Sequence, residues 1–455
     1  MANRLAFVIS GIVSDTQSAF LAGRQILDGP FILNEILHWC KKKYKKAMIF
    51  KVDFAKTYDS VRWDYLLDVL EAFGFGATWC KWIRGTFCFA KASVLVNGSP
   101  SDEFQFFCGL KQGDPLSPYL FILVMESLHL VVTNAVSNGM FKGIRLHNSL
   151  SISHLFYADD ALFIGEWSDL NVKGIINILK CFFLASGLQI NIHKSQLLGV
   201  GVPRSTVEAV AASMGCSVME HNFRYLGVRV GENMSRLKAW DDVVLKLRSR
   251  LSKWKAKTLS IGGRLTLLKS VLGAAPLYTM SIYKVPKVLA SKKKGGLGVS
   301  SFLALNRALI LKWVWRFVSQ DGSLWFRVIQ ALYGVSIDRH SSLKTSVWSS
   351  ILKEVRVLKD KGFDFLSFCS KRIGDGNTTR FWLDIWKGDK VFRDIYPRVF
   401  SLVSNPNITV AEVMGVSLGE SLRRPVRGGA EEQQFAELAL VLDSVVCSSL
   451  HDRWV

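Results

Sequence analysis

The chain has 455 residues, 49% of them hydrophobic, enough for a sizeable core in about two to four subdomains and far from a disordered composition. Lys and Arg number 58 against 37 acidic residues, a net charge of +21, which favours a polyanionic partner, nucleic acid before membrane, over a merely basic surface. The eight cysteines form no C-x-x-C pair and no histidine pair stands at zinc-finger spacing. They read as reduced thiols of an intracellular protein rather than a structural zinc site. "MANRLAFVIS" lacks the apolar core of a signal peptide, so secretion is not expected. "YLFILVMESLHLVV" is shorter than a bilayer span and carries Glu126 and His129, so no membrane segment is expected.

In chain order, "KKKYKKAMIFKVDFAKTYDS" passes from a basic run, read as an exposed loop, into a β-like stretch over 48–54. Asp59-Ser60 offers helix N-cap chemistry, and Val61, Tyr65, Leu66, Val69, Leu70 and Phe73 follow at helical spacing up to Gly74. "KASVLVNGSPSDEFQFF" is a hairpin around Asn97-Gly98. "GLKQGDPLSP" is a turn-rich loop, and Pro118 starts an apolar helix to about Asn138. "ISHLFYADDALFIG" is a second hairpin with Asp159 and Asp160 at its tip. A helix then runs from Ser168 or Asp169 to Ser186, stopped by Gly187. "LQINIH" and "YLGVRVG" each read as one short strand. From Arg236 to Lys294 there are 15 basic residues against 2 acidic ones, on predicted helices. "SKKKGG" at 291–296 reads as a linker, and the rest is rich in tryptophan.

Asp53 ends one predicted strand, and Asp159 and Asp160 sit at a hairpin tip more than a hundred residues later. If both belong to one sheet, three carboxylates converge at one edge, where they need cations to stay ionised. Mg²⁺ suits them, because it is hard and is held by one or two carboxylates plus substrate phosphates. Two such ions are the machinery of in-line phosphoryl transfer. Asp159-Asp160 reads equally as a polar β-turn, and a lone Y-x-D-D does not decide between the two.

The company it keeps does. Read in order, "VDFAKTYDSV", "GLKQGDPLSP", "FYADDALF", "GLQINIHKS" and "FRYLGVRVG" resemble motifs A to E of reverse transcriptases, and among them the LINE-type (non-LTR) retrotransposon enzymes of plants. The resemblance extends to "DTQSAFLAGRQILDGPFILNEIL" upstream and, downstream, to "LSIGGRLTLLKSVLGAAPLYTMSIYKVPK", "KGGLGVSSFLALNRALILKWVWRF" and "RIGDGNTTRFWLDIW". It implies an α+β right-hand polymerase fold: a residual fingers segment over 1–46, a palm with inserted fingers elements over 47–232, a basic helical thumb over 233–290, and a Trp-rich C-terminal region over 291–455. It also implies an RNA-directed DNA polymerase that takes an RNA template, a DNA primer and dNTPs, works with two Mg²⁺ ions (Mn²⁺ as substitute), and acts inside the cell, with the nucleus as the expected site. No membrane is implied, and protein partners are left open.

Residue by residue, the resemblance implies that Asp53 and Asp159 hold the metal pair, with Asp160 contributing and the Phe54 carbonyl also reaching a metal. Tyr58 takes the place of the steric gate against a 2′-hydroxyl, although by itself it reads as a core aromatic. Gln112 and Gly113 line the incoming nucleotide, or simply form the tight turn before a helix. Lys194 matches the lysine that protonates the leaving pyrophosphate, or is a solvated lysine. Tyr225, Leu226 and Gly227 match the primer grip. Lys246, Arg250, Lys253, Lys257, Arg264 and Lys269 are candidate contacts to duplex phosphates, or a solvated basic face.

The chain departs from that pattern in three places. The family's long region ahead of "ANRL", with its basic fingers segments and endonuclease domain, is missing. Only "VLASKKK" stands between "VPK" and "GGLG". The C-terminal zinc-binding region and RNase H domain are missing too. The resemblance thus leads to the expectation of a member truncated at both ends, and Arg24 of "AGRQI" is not assigned the triphosphate role. Its alternative is a catalytically weak or silent nucleic-acid-binding remnant. A viral RNA-dependent RNA polymerase shares the palm, but Tyr58 and the flanking match argue against it.

Overall fold

The computed structural model describes residues 1–147, 150–253, 260, 263, 266, 276–286, 302–319, 322–334, 337, 346–416 and 418–455, with backbone alone at 247 and 250–253. Two compact units divide it, Met1–Asn306 with Gly322–Ser350, and Arg307–Asp321 with Ile351–Val455.

In the first unit, α1 (Ala2–Ile12) and α2 (Asp28–Lys42) precede β1 (Ala47–Val52), and the lysine run after α2 is exposed. Then come α3 (Thr57–Ser60), α4 (Trp63–Ala72) and α5 (Ala77–Phe87). A nested hairpin follows, β2 (Lys91–Ala92) pairing β5 (Phe104–Gln105) and β3 (Leu95–Val96) pairing β4 (Ser99–Pro100). Asn97 and Gly98 turn it with positive φ, as Asn-Gly does in a two-residue hairpin. Next are α6 (Ser117–Ser137), β6 (Ile144–His147), β7 (Leu150–Ile152), β8 (His154–Tyr157), β9 (Asp160–Glu166) and α7 (Asp169–Ser186). The unit continues with β10 (Gln196–Val200), α8 (Arg204–Met214), β11 (Ser217–Val218), β12 (Phe223–Tyr225), β13 (Val228–Val230) and α9 (Asp241–Lys253).

The central sheet has the order β11-β10-β1-β9-β8, antiparallel except for β10-β11. β1 lies in its middle with five of six residues buried, which is why its sequence is nearly continuous in apolar residues. Strand alternation divides the two faces. Met48, Phe50, Val52, Phe156, Ala161 and Phe163 join one core with α1, α4, α6 and α7. Ile49 and Leu162 point the other way, and α2 packs on β8, β10 and β13.

Four expectations are corrected. "LQINIH" is not a strand: Ile190 makes one isolated bridge to Phe54, residues 192–194 turn, and the strand is the apolar "QLLGV" that follows. "YLGVRVG" is the end of the first arm, the turn and the second arm of a hairpin rather than one strand. Asp59-Ser60 closes the short α3 instead of capping α4, whose N-cap is Arg62. Finally, α6 is 21 residues long and apolar enough to cross a membrane by length and composition. Its residues from Leu120 to Glu126 are all buried inside this unit, where it serves as a core helix. The helix over Asp169–Ser186 is as expected: the Ser168 side chain accepts the Asn171 amide, and Gly187 ends it at φ 81°.

The tryptophans divide between the units. Trp325 and Trp348 lie in the first, edge-on to each other at 5.8 Å, with Phe31 of α2 5.5 Å from Trp325. Trp382 and Trp386 belong to the second, whose core also contains Phe381, Phe392, Tyr396 and Val410. The expected linker at 291–296 lies outside the described residues.

Candidate active site

The catalytic candidates meet where β1 and the β8–β9 hairpin end. Lys51 pairs with Leu162 and Val52 with Ala161, so one further step of the register sets Asp53 opposite Asp160. Facing residues of an antiparallel pair share a face. Asp53, Asp160 and Tyr157 therefore lie on one face, the one opposite the α6 core. Asp159 is exposed in the two-residue loop, and Ala158 before it has φ 51°. Ser195 Oγ accepts the Asp53 amide at 3.2 Å, and the Asp53 carbonyl accepts the Asn191 amide at 2.7 Å. The neighbouring bond runs from the Ala55 amide to the Gln189 carbonyl, so this pairing leaves the Phe54 carbonyl out.

The carboxylates sense one another. Burial pushes the Asp160 carboxyl above its ordinary range; Lys51 opposes the shift, while Asp159 and Asp53 add to it. Lys51 Nζ is 3.9 Å from Asp160 Oδ1. Among the described residues, no three His, Cys, Asp or Glu side chains stand close enough to ligate one ion by themselves. The three-carboxylate convergence expected from the sequence is thus not met on one ion, and a cation here would have to take one or two carboxylates and complete its shell with water and phosphate oxygens, as Mg²⁺ can.

Tyr58 stands beside this cluster. Its ring stacks on Phe121 of the buried α6 at 4.7 Å and 18°. Burial raises its phenol pKa, and the Asp159 charge raises it further. The loop "GLKQGDP" docks on α3: the Leu110 amide donates to the Tyr58 carbonyl at 2.7 Å, the Gly109 amide to the Val61 carbonyl at 2.8 Å, and Gln112 Nε2 to Asp59 Oδ1 at 3.0 Å. Gly113 follows at φ 86° with open space where a Cβ would stand. Lys194 is exposed on the turn over 192–194, three residues beyond the Asn191 amide that binds Asp53.

Tyr225 is buried, and burial pushes its phenol pKa up, with Asp160 and Tyr278 contributing. Leu226 and Gly227 form the turn at φ 47° and 78°. Two tyrosines from a distant segment hold this hairpin: Tyr278 OH donates to the Leu226 carbonyl at 2.6 Å and Tyr283 OH to the Arg229 carbonyl. Asn34 of α2 donates to Tyr283 OH at 2.8 Å and accepts the Gly231 amide at 3.0 Å. Asp242 of α9 accepts from Arg229 and Arg224, which ties the start of the basic helix to the hairpin. On α9, Lys246 is exposed. The side chains of Arg250 and Lys253, and the whole of Lys257, Arg264 and Lys269, lie outside the described residues.

Residues 1–230, just over half of the chain, match the family model for reverse transcriptase (RNA-dependent DNA polymerase). The chain belongs to the reverse transcriptase family. It is 33% identical over 186 residues to a putative ribonuclease H protein of Arabidopsis thaliana, covering 33% of this chain and 29% of that protein, and other relatives it matches are retrotransposon proteins. It is 26% identical over 225 residues to the Pol polyprotein of the type-2 element R2DM of Drosophila melanogaster, covering 49% of this chain and 20% of that protein. It is 29% identical over 177 residues to the Pol polyprotein of a type-1 element R2 of Popillia japonica, covering 37% and 28%. It is 26% identical over 287 residues to a 149 kDa protein of transposon TX1 of Xenopus laevis, covering 61% and 21%. This reverse transcriptase chain thus spans under a third of the length of these relatives. A telomerase from Candida tropicalis superposes on 78% of the chain with a TM-score of 0.39 and 12% identity. At that level the likeness adds nothing to the reading of the sheet above.

Proposed function

We propose that the sheet edge formed by β1 and the β8–β9 hairpin is the catalytic centre of an RNA-directed DNA polymerase, extending a primer with dNTPs on an RNA template. The observation that carries this is the register ending at Val52–Ala161, next to Asp53 and Asp160, with Asp159 in the adjoining loop. Asp53 and Asp159 would hold a pair of Mg²⁺ ions, or Mn²⁺, and Asp160, steadied by Lys51, would support them. Such a pair would lower the pKa of a 3′-hydroxyl and neutralise a leaving pyrophosphate.

The chain's residues do the rest by position. The primer 3′-hydroxyl releases its proton to solvent as its oxygen bonds to the α-phosphorus and the bond to the bridging α–β oxygen breaks, and the departing pyrophosphate takes a proton for which Lys194 is the candidate donor. Tyr58, braced by Phe121, would fill the space of a ribose 2′-hydroxyl. Gln112 and Gly113, docked on α3, would lie along the incoming nucleotide. Tyr225, Leu226 and Gly227 would place the primer end, and α9 with Lys246 would follow the duplex phosphates.

Primer extension with the purified chain on oligo-dT/poly-rA in Mg²⁺ tests this. Extension is expected, falling at least about 100-fold in Asp159→Ala and Asp53→Asn. A folded, duplex-binding wild type that extends nothing overturns the reading.

A further inference from the structure

The loop carrying Asp159 is held from behind by a residue the proposed chemistry does not use. Ala158 is the first of two residues joining β8 to β9, and its φ of 51° is a value usually left to glycine in such loops. It is also buried, so its amide needs a protein acceptor. Gln17 provides one: its Oε1 accepts the Ala158 amide and the Ala19 amide, each at 3.0 Å. Gln17 is 1% exposed, and its Nε2 has no hydrogen-bond partner among the described residues. Only the amide oxygen is used.

Gln17 is itself tightly placed. Its segment runs parallel to β8, with the Phe156 amide donating to the Thr16 carbonyl at 2.8 Å and the Ser18 amide to the Phe156 carbonyl at 3.0 Å. The Arg24 guanidinium donates to the carbonyls of Val13, Ser14 and Gln17, closing the loop from within. A continuous chain of bonds thus runs from Arg24 through Gln17 to Ala158, whose peptide carries Asp159.

We propose that Gln17 is a positioning residue that holds the strained Ala158 peptide, and with it the Asp159 carboxylate, in the geometry that binds divalent cations. This rests on the polymerase reading of the same site. An acceptor lost at Gln17 leaves two buried amides unpaired and the turn free to relax, and small misplacements at a reacting centre are costly in rate.

The test compares Gln17→Met, similar in volume but without the acceptor, with Gln17→Glu, which keeps it. Both are made in the full chain, and folding is followed by circular dichroism. One readout is kcat and KM for dTTP on oligo-dT/poly-rA. The other is Mn²⁺ affinity by electron paramagnetic resonance, without nucleic acid. Gln17→Met is expected to lower kcat about 10- to 100-fold with KM little changed, and to weaken Mn²⁺ binding; Gln17→Glu recovers most of both. Wild-type kcat and Mn²⁺ affinity in a folded Gln17→Met overturn the proposal, as does a Gln17→Glu chain as impaired as the Met variant. If Gln17→Met does not fold, a folded Gln17→Glu with wild-type Mn²⁺ affinity supports the proposal, and one that has lost that affinity overturns it. A wild type that binds Mn²⁺ but extends no primer sinks the polymerase reading alone and leaves the Mn²⁺ comparison to decide Gln17.

Discussion

Lys51 reaches diagonally across two paired strands to Asp160, Nζ to Oδ1 at 3.9 Å, with Asp53 two residues beyond Lys51 on the same face. The lysine partly offsets a carboxyl whose pKa is raised first by burial and then by Asp159 and Asp53. A raised carboxyl pKa means that the folded chain holds the proton more tightly than the unfolded one. Stability is therefore lost as pH rises from the ordinary value of 3.8 through the raised one, and the penalty is complete above it. Removing the lysine widens that window. Lys51→Met in EDTA is expected to match wild type near pH 4 and to fall below it by about 1 kcal/mol or less at pH 7.5, both groups being partly exposed. Asp160→Asn should show the opposite trend, gaining on wild type as pH rises. Thermal melts at the two pH values check both.

Tyr58 is expected to set sugar selectivity through the bulk of its ring. The ring is fixed by its stack on Phe121, so removing it opens a defined space. Tyr58→Ala should reduce discrimination against ribonucleotides by about 10- to 100-fold, whereas Tyr58→Phe should preserve it. The ratio of kcat/KM for dNTP and rNTP with each variant is the measurement. Equal ratios in wild type and Tyr58→Ala would end the gate assignment.

The parts of this site that could be read from sequence are those with strong local signals. Ser168 and Gly187 bracket α7 because a cap and an αL residue act within a few residues. Asn97-Gly98 sets its hairpin for the same reason. Lys51 was within reach as well, since period two puts it on the face of Asp53. "LQINIH" reads as a strand but is not one, because pairing here is decided by β1: the apolar 196–200 forms the ladder while Ile190 keeps one bridge. "YLGVRVG" reads as one strand because its turn is Leu226-Gly227, and a leucine at positive φ gives no turn signal. Gln17 and Arg24 carry no local signature at all, since Gln17 finds its partner 141 residues away and Arg24 spends its donors on carbonyls.

Gly109 fixes the nucleotide-side loop to α3. It has φ 93°, and a Cβ there would lie 2.8 Å from the Asp59 carbonyl oxygen and 3.0 Å from its Cα. Both are backbone atoms, so α3 itself would have to move, carrying Tyr58 and the Asp59 carboxylate that binds Gln112. Gly109→Ala is expected to cost about 1–3 kcal/mol of stability and to raise KM for dNTP. Denaturant unfolding and steady-state kinetics measure the two effects. A wild-type KM in a destabilised variant would show that the loop does not position nucleotide.

Tyr278 reaches across from a segment more than fifty residues later and donates to the Leu226 carbonyl at 2.6 Å. That carbonyl belongs to a turn whose leucine holds φ 47°, a conformation that needs outside support. Burial pushes the Tyr278 phenol up to about 12, so the donor proton stays in place across the working pH range. Tyr278→Phe keeps the ring and removes only that proton, at a cost of about 1 kcal/mol. If the turn holds the primer end, the loss should appear as a several-fold rise in KM for template-primer and shorter products per binding event, with KM for dNTP unchanged. Product lengths under a heparin trap measure this directly. Unchanged lengths together with the expected stability loss would reduce the tyrosine to a purely structural bond.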